Sequence, residues 1–254
     1  MTVVMITGAT DGLGRALARR VLEDTDATVL VHGRSERRIA DTVAELDAGE
    51  RVRAYRADFA SLAQVRALAE ELRRREERVD VLVNNAGIAP PETRALSEDG
   101  HELGLAVNHL AGFALTQRLL DRIGERIVFV SSLGQRAIDF DDVMLERGYS
   151  GMRSYCQSKL AQILYAFELA GRVDDVAVTA LHPATYMPTK MVSSPISTLE
   201  EGVEATFRLV ADPSLAGVTG RFFDGVREAE PDPQAADAQA RRRLWELSER
   251  LTAG

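Results

Sequence analysis

Three glycines, Gly8, Gly12 and Gly14, set between a short apolar run and a helical pattern, constrain this chain more than any other feature. Val3 to Thr7 is apolar and β-branched and reads as a buried strand. Arg15 to Leu22 carries apolar residues at helical spacing. A strand, a glycine turn and a helix in that order form a seat for phosphate. The glycines allow positive φ or close backbone approach, and a helix starting near Gly12 aims unpaired N–H groups above the turn. A dinucleotide pyrophosphate fits such a seat.

The same alternation continues along the chain. Thr28–His32, Val52–Arg56, Val79–Val83, Arg126–Ser132, Val176–Leu181 and Thr219–Phe223 read as further strands. Between them lie helical patterns over Glu36–Ala48, Ser61 (as N-cap) to Arg75, His101–Leu120, Ser154–Leu169 and Glu200–Leu209, with a charged helix at Arg241–Leu251. Short β-branched runs alternating with helical periods predict a parallel sheet covered on both faces. Two connections are long: Leu133–Arg153, which contains Asp139, Asp141, Asp142 and Glu146, and His182–Leu199, rich in Pro, Ser, Thr and Met. Long connections in a compact α/β chain point to binding. Residues 1–254 are expected to form a single dinucleotide-binding domain, with 182–210 as a substrate loop and lid. Glu228–Ala240 is expected to be surface or linker.

A formal charge of −8 argues against nucleic acid or an anionic membrane as the main partner. Cys156 is the only cysteine, which suits a reducing compartment, and no run of about 20 apolar residues is present to span a bilayer. With strand residues following Met1 directly, the expectation is a cytoplasmic protein.

Thr7-Gly8-x-x-x-Gly12-x-Gly14, Asp58, Asn84-Asn85-Ala86-Gly87, Asn108, Ser132 and Tyr155-x-x-x-Lys159 occur in one order, and together they resemble the short-chain dehydrogenase/reductase family. Tyr155-Cys-Gln-Ser-Lys-Leu-Ala-Gln, Asn108 within Val-Asn-His-Leu, and the 23 residues from Ser132 to Tyr155 look most like its retinol-dehydrogenase-like branch. The resemblance implies a Rossmann-type three-layer sandwich with a parallel seven-stranded sheet in the order 3-2-1-4-5-6-7. It also implies oxidoreduction of a small-molecule carbonyl or alcohol with a nicotinamide dinucleotide. Four catalytic residues carry over: Tyr155 as acid/base, Lys159 beside it and on the nicotinamide ribose, Ser132 orienting the carbonyl, and Asn108 supporting a water-linked proton route from the lysine. Tyr155 and Lys159 share one helical face, and an ammonium beside a phenol is expected to lower the phenol pKa.

For the cofactor, the expected contacts are Thr7, Gly8, Thr10, Asp11, Gly12, Leu13, Gly14, Arg34, Asp58, Phe59, Asn85, Ala86, Gly87, Tyr155, Lys159, Pro183 and Thr185. Ala184 stands where the family has glycine, and the run on to Thr189 is one residue longer than the family's. His182 is read as structural, because no second ligand is spaced with it as a metal site. Gly33 occupies the position of the ribose-binding carboxylate of NAD enzymes, and Arg34 follows with a guanidinium suited to a 2′-phosphate. Arg37 and Arg38 would add to that field, whereas Asp11 opposes it. NADP(H) is therefore the expected cofactor, with NAD(H) as the alternative. Leu133, Gln135, Tyr149, Tyr186, Met187 and Met191 are the expected substrate contacts, and with Ile138, Phe140 and Met144 they suggest an apolar, cyclic or polyketide-like substrate. The family also pairs subunits through the helices starting near His101 and Ser154, so a homodimer is expected. Two other functions fit the same pattern less well: a non-catalytic dinucleotide-binding regulator, which predicts a damaged catalytic set, and a nucleotide-sugar epimerase or dehydratase, which would carry an added C-terminal substrate domain.

Overall fold

Alternate residues of the strands feed two apolar layers, one on each face of a single sheet. In the computed structural model, which describes residues 2–89, 91–188 and 194–253, the strands are β1 (Val3–Ile6), β2 (Thr28–Gly33), β3 (Val52–Arg56), β4 (Val79–Asn84), β5 (Ile123–Val130), β6 (Ala177–His182), β7 (Arg221–Asp224) and β8 (Arg227–Ala229). Their order is β3-β2-β1-β4-β5-β6-β7-β8. The first seven are parallel, as the resemblance implied. The antiparallel β8 is an addition, pairing Phe222 with Ala229 and Asp224 with Arg227. At three residues it is too short for a period-2 pattern to reveal.

The helices are α1 (Gly12–Asp24), α2 (Glu36–Leu46), α3 (Leu62–Arg75), α4 (Leu103–Leu105), α5 (Ala111–Leu119), α6 (Gly151–Ala170), α7 (Leu199–Ala211) and α8 (Ala238–Thr252). Val4, Ile6, Val29 and Val31 pack with Leu17, Val21, Val203 and Leu209 of α1 and α7. Met5, Leu30, Leu82 and Ile127 pack with Leu68, Phe113 and Leu164 of α3, α5 and α6 on the other face. Each fully buried Val, Leu or Ile contributes about 1.5–3 kcal/mol, which is why a central strand with both faces covered is apolar throughout.

Several boundaries differ from the sequence reading for physical reasons. Helix α6 starts at Gly151 rather than Ser154, because Ser150 takes the N-cap position and its side chain accepts from the Arg153 N–H. Ser61 occupies the N-cap position of α3 without a side-chain cap bond, and Asp99 Oδ2 instead accepts from Leu62 N at 2.8 Å. The expected helix over His101–Leu120 is interrupted by a π turn at Ala106–Leu110, which carries Asn108. The acidic residues of the 133–153 loop meet arginines: Asp139 and Asp142 approach Arg153, and Asp141 meets Arg243. Within the expected linker, Pro233–Ala236 forms a 3₁₀ turn that buries Ala235 completely.

Helix α8 packs on α6. Trp245 meets Phe113 edge-on at 5.5 Å and Tyr165 at 5.6 Å, with the Arg172 guanidinium 4.0 Å from its ring centre. His109 Nε2 lies 2.8 Å from Ser248 Oγ, and Leu160, Ile163 and Leu164 are fully buried. The surface expected to pair two subunits is thus covered in part by the chain's own last helix. No helix among the described residues is long and apolar enough to cross a membrane.

Candidate active site

The turn after β1 is built by close approach. Gly8 has φ +66°, and a Cβ there would lie 2.8 Å from Ala86 Cα, so only glycine lets the turn press against the segment after β4. Gly14 is equally confined, because its Cβ would fall 2.5 Å from Asn85 Nδ2 and from the Gly8 carbonyl oxygen. Thr7 is wholly buried, and its hydroxyl accepts from Asn85 N and Ala86 N at 3.0 and 2.9 Å. Asn85 Nδ2 donates to Thr7 O and Gly8 O. Thr7 and Asn85, expected as cofactor contacts, therefore brace the turn.

His32, which the sequence reading missed, holds the turn from the opposite side. Its Nδ1 accepts from Gly8 N at 3.1 Å and its Nε2 lies 3.1 Å from Ala57 O, which fixes a neutral imidazole with hydrogen on Nε2. Burial pulls its pKa down to about 4. Phe59 stacks on this ring at 4.5 Å and is buried, so it packs beneath the turn. Asp58 Oδ1 accepts from Ala60 N in its own turn.

Helix α1 opens this turn toward solvent. Asp11 is its N-cap, with Oδ1 accepting from Gly12 N at 2.9 Å, while the following N–H groups of Leu13 and Gly14 lie in the first turn, where no intrahelical partner exists. A phosphate-bearing dinucleotide fits this donor set. Arg34 is exposed beyond the end of β2, Arg37 pairs with Asp41, and Arg38 pairs with Asp11. The space beside Gly33 is taken by Thr10, whose Cγ2 would lie 2.6 Å from a Cβ on Gly33. That glycine therefore serves the packing of the turn.

The four expected catalytic residues converge next to this seat. A Cβ on Gly87 would lie 3.2 Å from Asn108 Oδ1 and 3.5 Å from Lys159 Nζ, so the segment after β4 touches the glycine turn, the π turn and α6. Lys159 Nζ donates to Val130 O at 2.9 Å and Gln162 Oε1 at 3.0 Å, and stands 5.8 Å from the Tyr155 ring centre. Burial lowers the lysine pKa to about 8. Ser132 Oγ accepts from Gly134 N at 3.0 Å, and a Cβ on that glycine would lie 3.3 Å from Ser132 Oγ and 3.4 Å from Tyr155 Cε1, so the two side chains are neighbours. The Tyr155 pKa is raised, not lowered as expected, because desolvation by burial outweighs the lowering influence of the neighbouring Ser132. Asn108 Oδ1 accepts from Ile88 N, and its Nδ2 donates to Ile88 O and Ser158 Oγ. Its side chain is thus saturated by protein and pins the π turn to α6. Gln162, one turn beyond Lys159, closes the Tyr155-Cys-Gln-Ser-Lys-Leu-Ala-Gln stretch, but no role was expected of it.

The expected substrate contacts divide. Leu133 and Tyr186 are exposed at 48% and 59%, close in sequence to Ser132 and the end of β6, and Tyr186 holds φ +49° while its carbonyl accepts from Ile196 N. Gln135 is consumed structurally, donating to Ser132 O and accepting from Asp232 N. Tyr149 donates to Pro91 O and ties the long loop down. Met187 packs under α7, with its sulfur filling the place a Cβ on Gly202 would need, and so belongs to the core. Met191 and Thr189 lie outside the described residues. Thr185 Oγ1 bonds His182 Nε2 at 2.9 Å, and Pro183 and Ala184 bridge β6 to that contact. Among the described residues no His, Cys, Asp and Glu cluster could hold a metal.

The comparisons with known proteins agree with this geometry. The sequence matches the short chain dehydrogenase family over residues 2–199. It is 37% identical over 281 residues to mouse (Mus musculus) retinol dehydrogenase 13, covering 98% of this chain and 83% of that protein. It is 38% identical over 261 residues to a Streptomyces sp. (strain C5) protein provisionally named daunorubicin C-13 ketoreductase DnrU, covering 96% and 90%. Among solved structures, an uncharacterised protein of Mycobacterium paratuberculosis superposes with TM-score 0.85 at 31% identity, over 99% of this chain and 93% of that one. A metagenomic blue fluorescent protein in complex with NADPH gives 0.72 at 26%, over 89% and 97%. With the glycine turn, the serine, the tyrosine and the lysine in one place, the chain is an oxidoreductase that belongs to the short-chain dehydrogenase/reductase family, in its retinol-dehydrogenase-like branch.

Proposed function

We propose that the protein reduces a ketone or aldehyde on an apolar substrate with NADP(H), or runs the reverse alcohol oxidation. The carrying observation is that Ser132 Oγ and the Tyr155 ring converge at Gly134, where a Cβ would lie 3.3 and 3.4 Å from them, beside the buried Lys159 ammonium. The nicotinamide supplies or accepts hydride when bound. Leu13 and Gly14 N–H groups would hold the pyrophosphate, Arg34 the 2′-phosphate, and Gly87 the wall of the adenosine half. Lys159 has one ammonium hydrogen left after Val130 and Gln162, and this would reach the nicotinamide ribose.

Reduction builds negative charge on the carbonyl oxygen, so a proton must be delivered there. Tyr155 donates it, and Ser132 shares the same oxygen and orients the carbonyl. A phenol whose pKa burial raises is a poor acid on its own, so the reaction needs the Lys159 charge brought nearer the phenolate as it forms. Proton return through Asn108 would use the backbone of the π turn, since its amide is fully engaged. The exposed Leu133 and Tyr186 support an apolar substrate, as do the retinol dehydrogenase and ketoreductase names of the relatives. The lone cysteine and acidic charge balance carry the proposal of a cytoplasmic location.

The test is nicotinamide absorbance over a panel of apolar ketones, aldehydes and alcohols. Tyr155→Phe is expected to lower kcat by about 10²–10⁴-fold with little change in cofactor affinity, as befits a group acting in the transition state. Retention of most turnover by that variant would refute the assignment of Tyr155.

A further inference from the structure

Two buried hydrogen-bond acceptors on different elements face one small cavity and have no protein donor. Asn84, the last residue of β4, donates through Nδ2 to Thr116 Oγ1 at 3.1 Å, which leaves Oδ1 as a bare acceptor. His109, in the π turn, approaches Ser248 Oγ through Nε2 at 2.8 Å. Ser248 spends its hydroxyl hydrogen on Leu244 O at 2.8 Å, so it can only accept from His109. The His109 hydrogen is therefore on Nε2, and Nδ1 is a lone-pair acceptor. Asn84 Oδ1 and His109 Nδ1 are both buried without a hydrogen-bond partner among the described residues. Leaving such groups unpaired costs about 1–3 kcal/mol each.

The cavity they share has about 10 Å³ for a water centre and is lined by Asn84, Asn108, His109, Gly112, Phe129 and Gln162, among others. That is close to the least volume that holds one water. The occupant must bring two donors, be a single heavy atom and, among Phe59, Val107 and Phe129, be uncharged. We propose that one internal water occupies this cavity, donating one O–H to Asn84 Oδ1 and the other to His109 Nδ1, and that it positions the π turn for catalysis. Asn84 directly precedes the segment containing Gly87, and His109 directly follows Asn108. The water joins two stretches of chain that also meet where Ile88 N donates to Asn108 Oδ1 at 2.8 Å. Asn84 and His109 are positioning residues and touch no reactant.

The site stands apart from the reduction proposed above, and only its activity arm rests on that reading. A high-resolution crystal structure is expected to show one ordered water within about 2.7–3.2 Å of both atoms. A cavity without water density, or one closed by a protein donor, overturns the proposal. Nitrogen NMR of His109 is expected to show Nε2–H with an unprotonated Nδ1, and the opposite tautomer overturns it as well. Gly112→Ala places a methyl 3.2 Å from Asn84 Oδ1, in the cavity. This variant is expected to lose the water and to lower kcat on the order of tenfold at unchanged cofactor KM. His109→Gln, which keeps an acceptor, is expected to keep the water and most of kcat. If Gly112→Ala does not fold, His109→Leu is read in its place. Unchanged kcat in a folded variant shown to lack the water overturns the positioning role. A wild-type protein with the water but no turnover of any carbonyl bears on the proposed function and leaves the site standing.

Discussion

Arg38 Nη2 holds Asp11 Oδ2 at 2.6 Å across the mouth of the glycine turn, while the other carboxylate oxygen caps α1. One residue thus completes the proposed phosphate seat and places a negative charge in it, and the Arg38 guanidinium from α2 pairs with that charge. Asp11→Ser keeps a capping hydroxyl, removes the carboxylate and releases Arg38. The ratio of kcat/KM for NADPH over NADH is expected to rise about tenfold or more, because a hydrogen bond to a charged group is worth roughly 1.5–3 kcal/mol. Arg34→Ala is expected to lower the same ratio by a comparable factor. A ratio that Asp11→Ser leaves unchanged would place this pair away from the ribose phosphate.

His32 makes the glycine turn sensitive to acid. Its imidazole is neutral in the fold, with a pKa of about 4 against 6.5 in the unfolded chain. The unfolded state binds the proton first, so the stabilisation is whole above pH 6.5 and is lost as pH falls toward 4, a loss of about 3 kcal/mol. His109, pulled to about 3 by burial, extends the same trend to lower pH. Urea midpoints are expected to drop steadily across this window. His32→Asn should start lower at pH 7 and fall less steeply, and a slope equal to wild type would remove His32 as the cause.

Much of this was legible in the sequence because it is local. The glycine spacing, the strand–helix alternation and the four-residue spacing of Tyr155 and Lys159 each depend on neighbours within a turn or two. What escaped depends on partners far along the chain. Nothing near His32 announces that it will accept from Gly8, nor near Ser248 that it will meet His109. Spacing also predicted a lowered Tyr155 pKa, because it reveals a charge one turn away but not the burial that outweighs it. Met187 and Gln135 were read as substrate contacts from their place in long loops, and each is spent on packing or bracing that only the folded chain defines.

The docking of α8 bears on association. Trp245, Leu244 and Ala240 are buried in the apolar layer that includes α6, and Ser248 is bonded to the π turn, so a second subunit cannot reach the covered part of that face. With part of the expected pairing surface covered in this way, the chain is expected to run as a single species near its chain mass of 27.8 kDa in sedimentation velocity at micromolar concentration. A stable species of twice that mass would show that pairing uses the remaining surface of α5 and α6 or another face.

Lys159 and Gln162 set an upper pH limit. The ammonium is buried with a pKa of about 8, and its two protein acceptors are Val130 O and Gln162 Oε1. Below pH 8 it is charged and can serve the proposed ribose contact and the forming phenolate; above pH 8 it is neutral and does both poorly. The kcat/KM for the cofactor, which reports free-enzyme ionisations, is therefore expected to fall as pH rises through about 8. Gln162→Leu removes an acceptor that favours the charged form, so the fall should move to lower pH. A hydrogen bond to a charged group at roughly 1.5–3 kcal/mol corresponds to a displacement of about one to two pH units. Lys159→Met should abolish the break and leave a low, flat profile. The decisive measurement is the pH profile of wild type and Gln162→Leu side by side, and coincident breaks would mean that Gln162 does not hold the lysine charge.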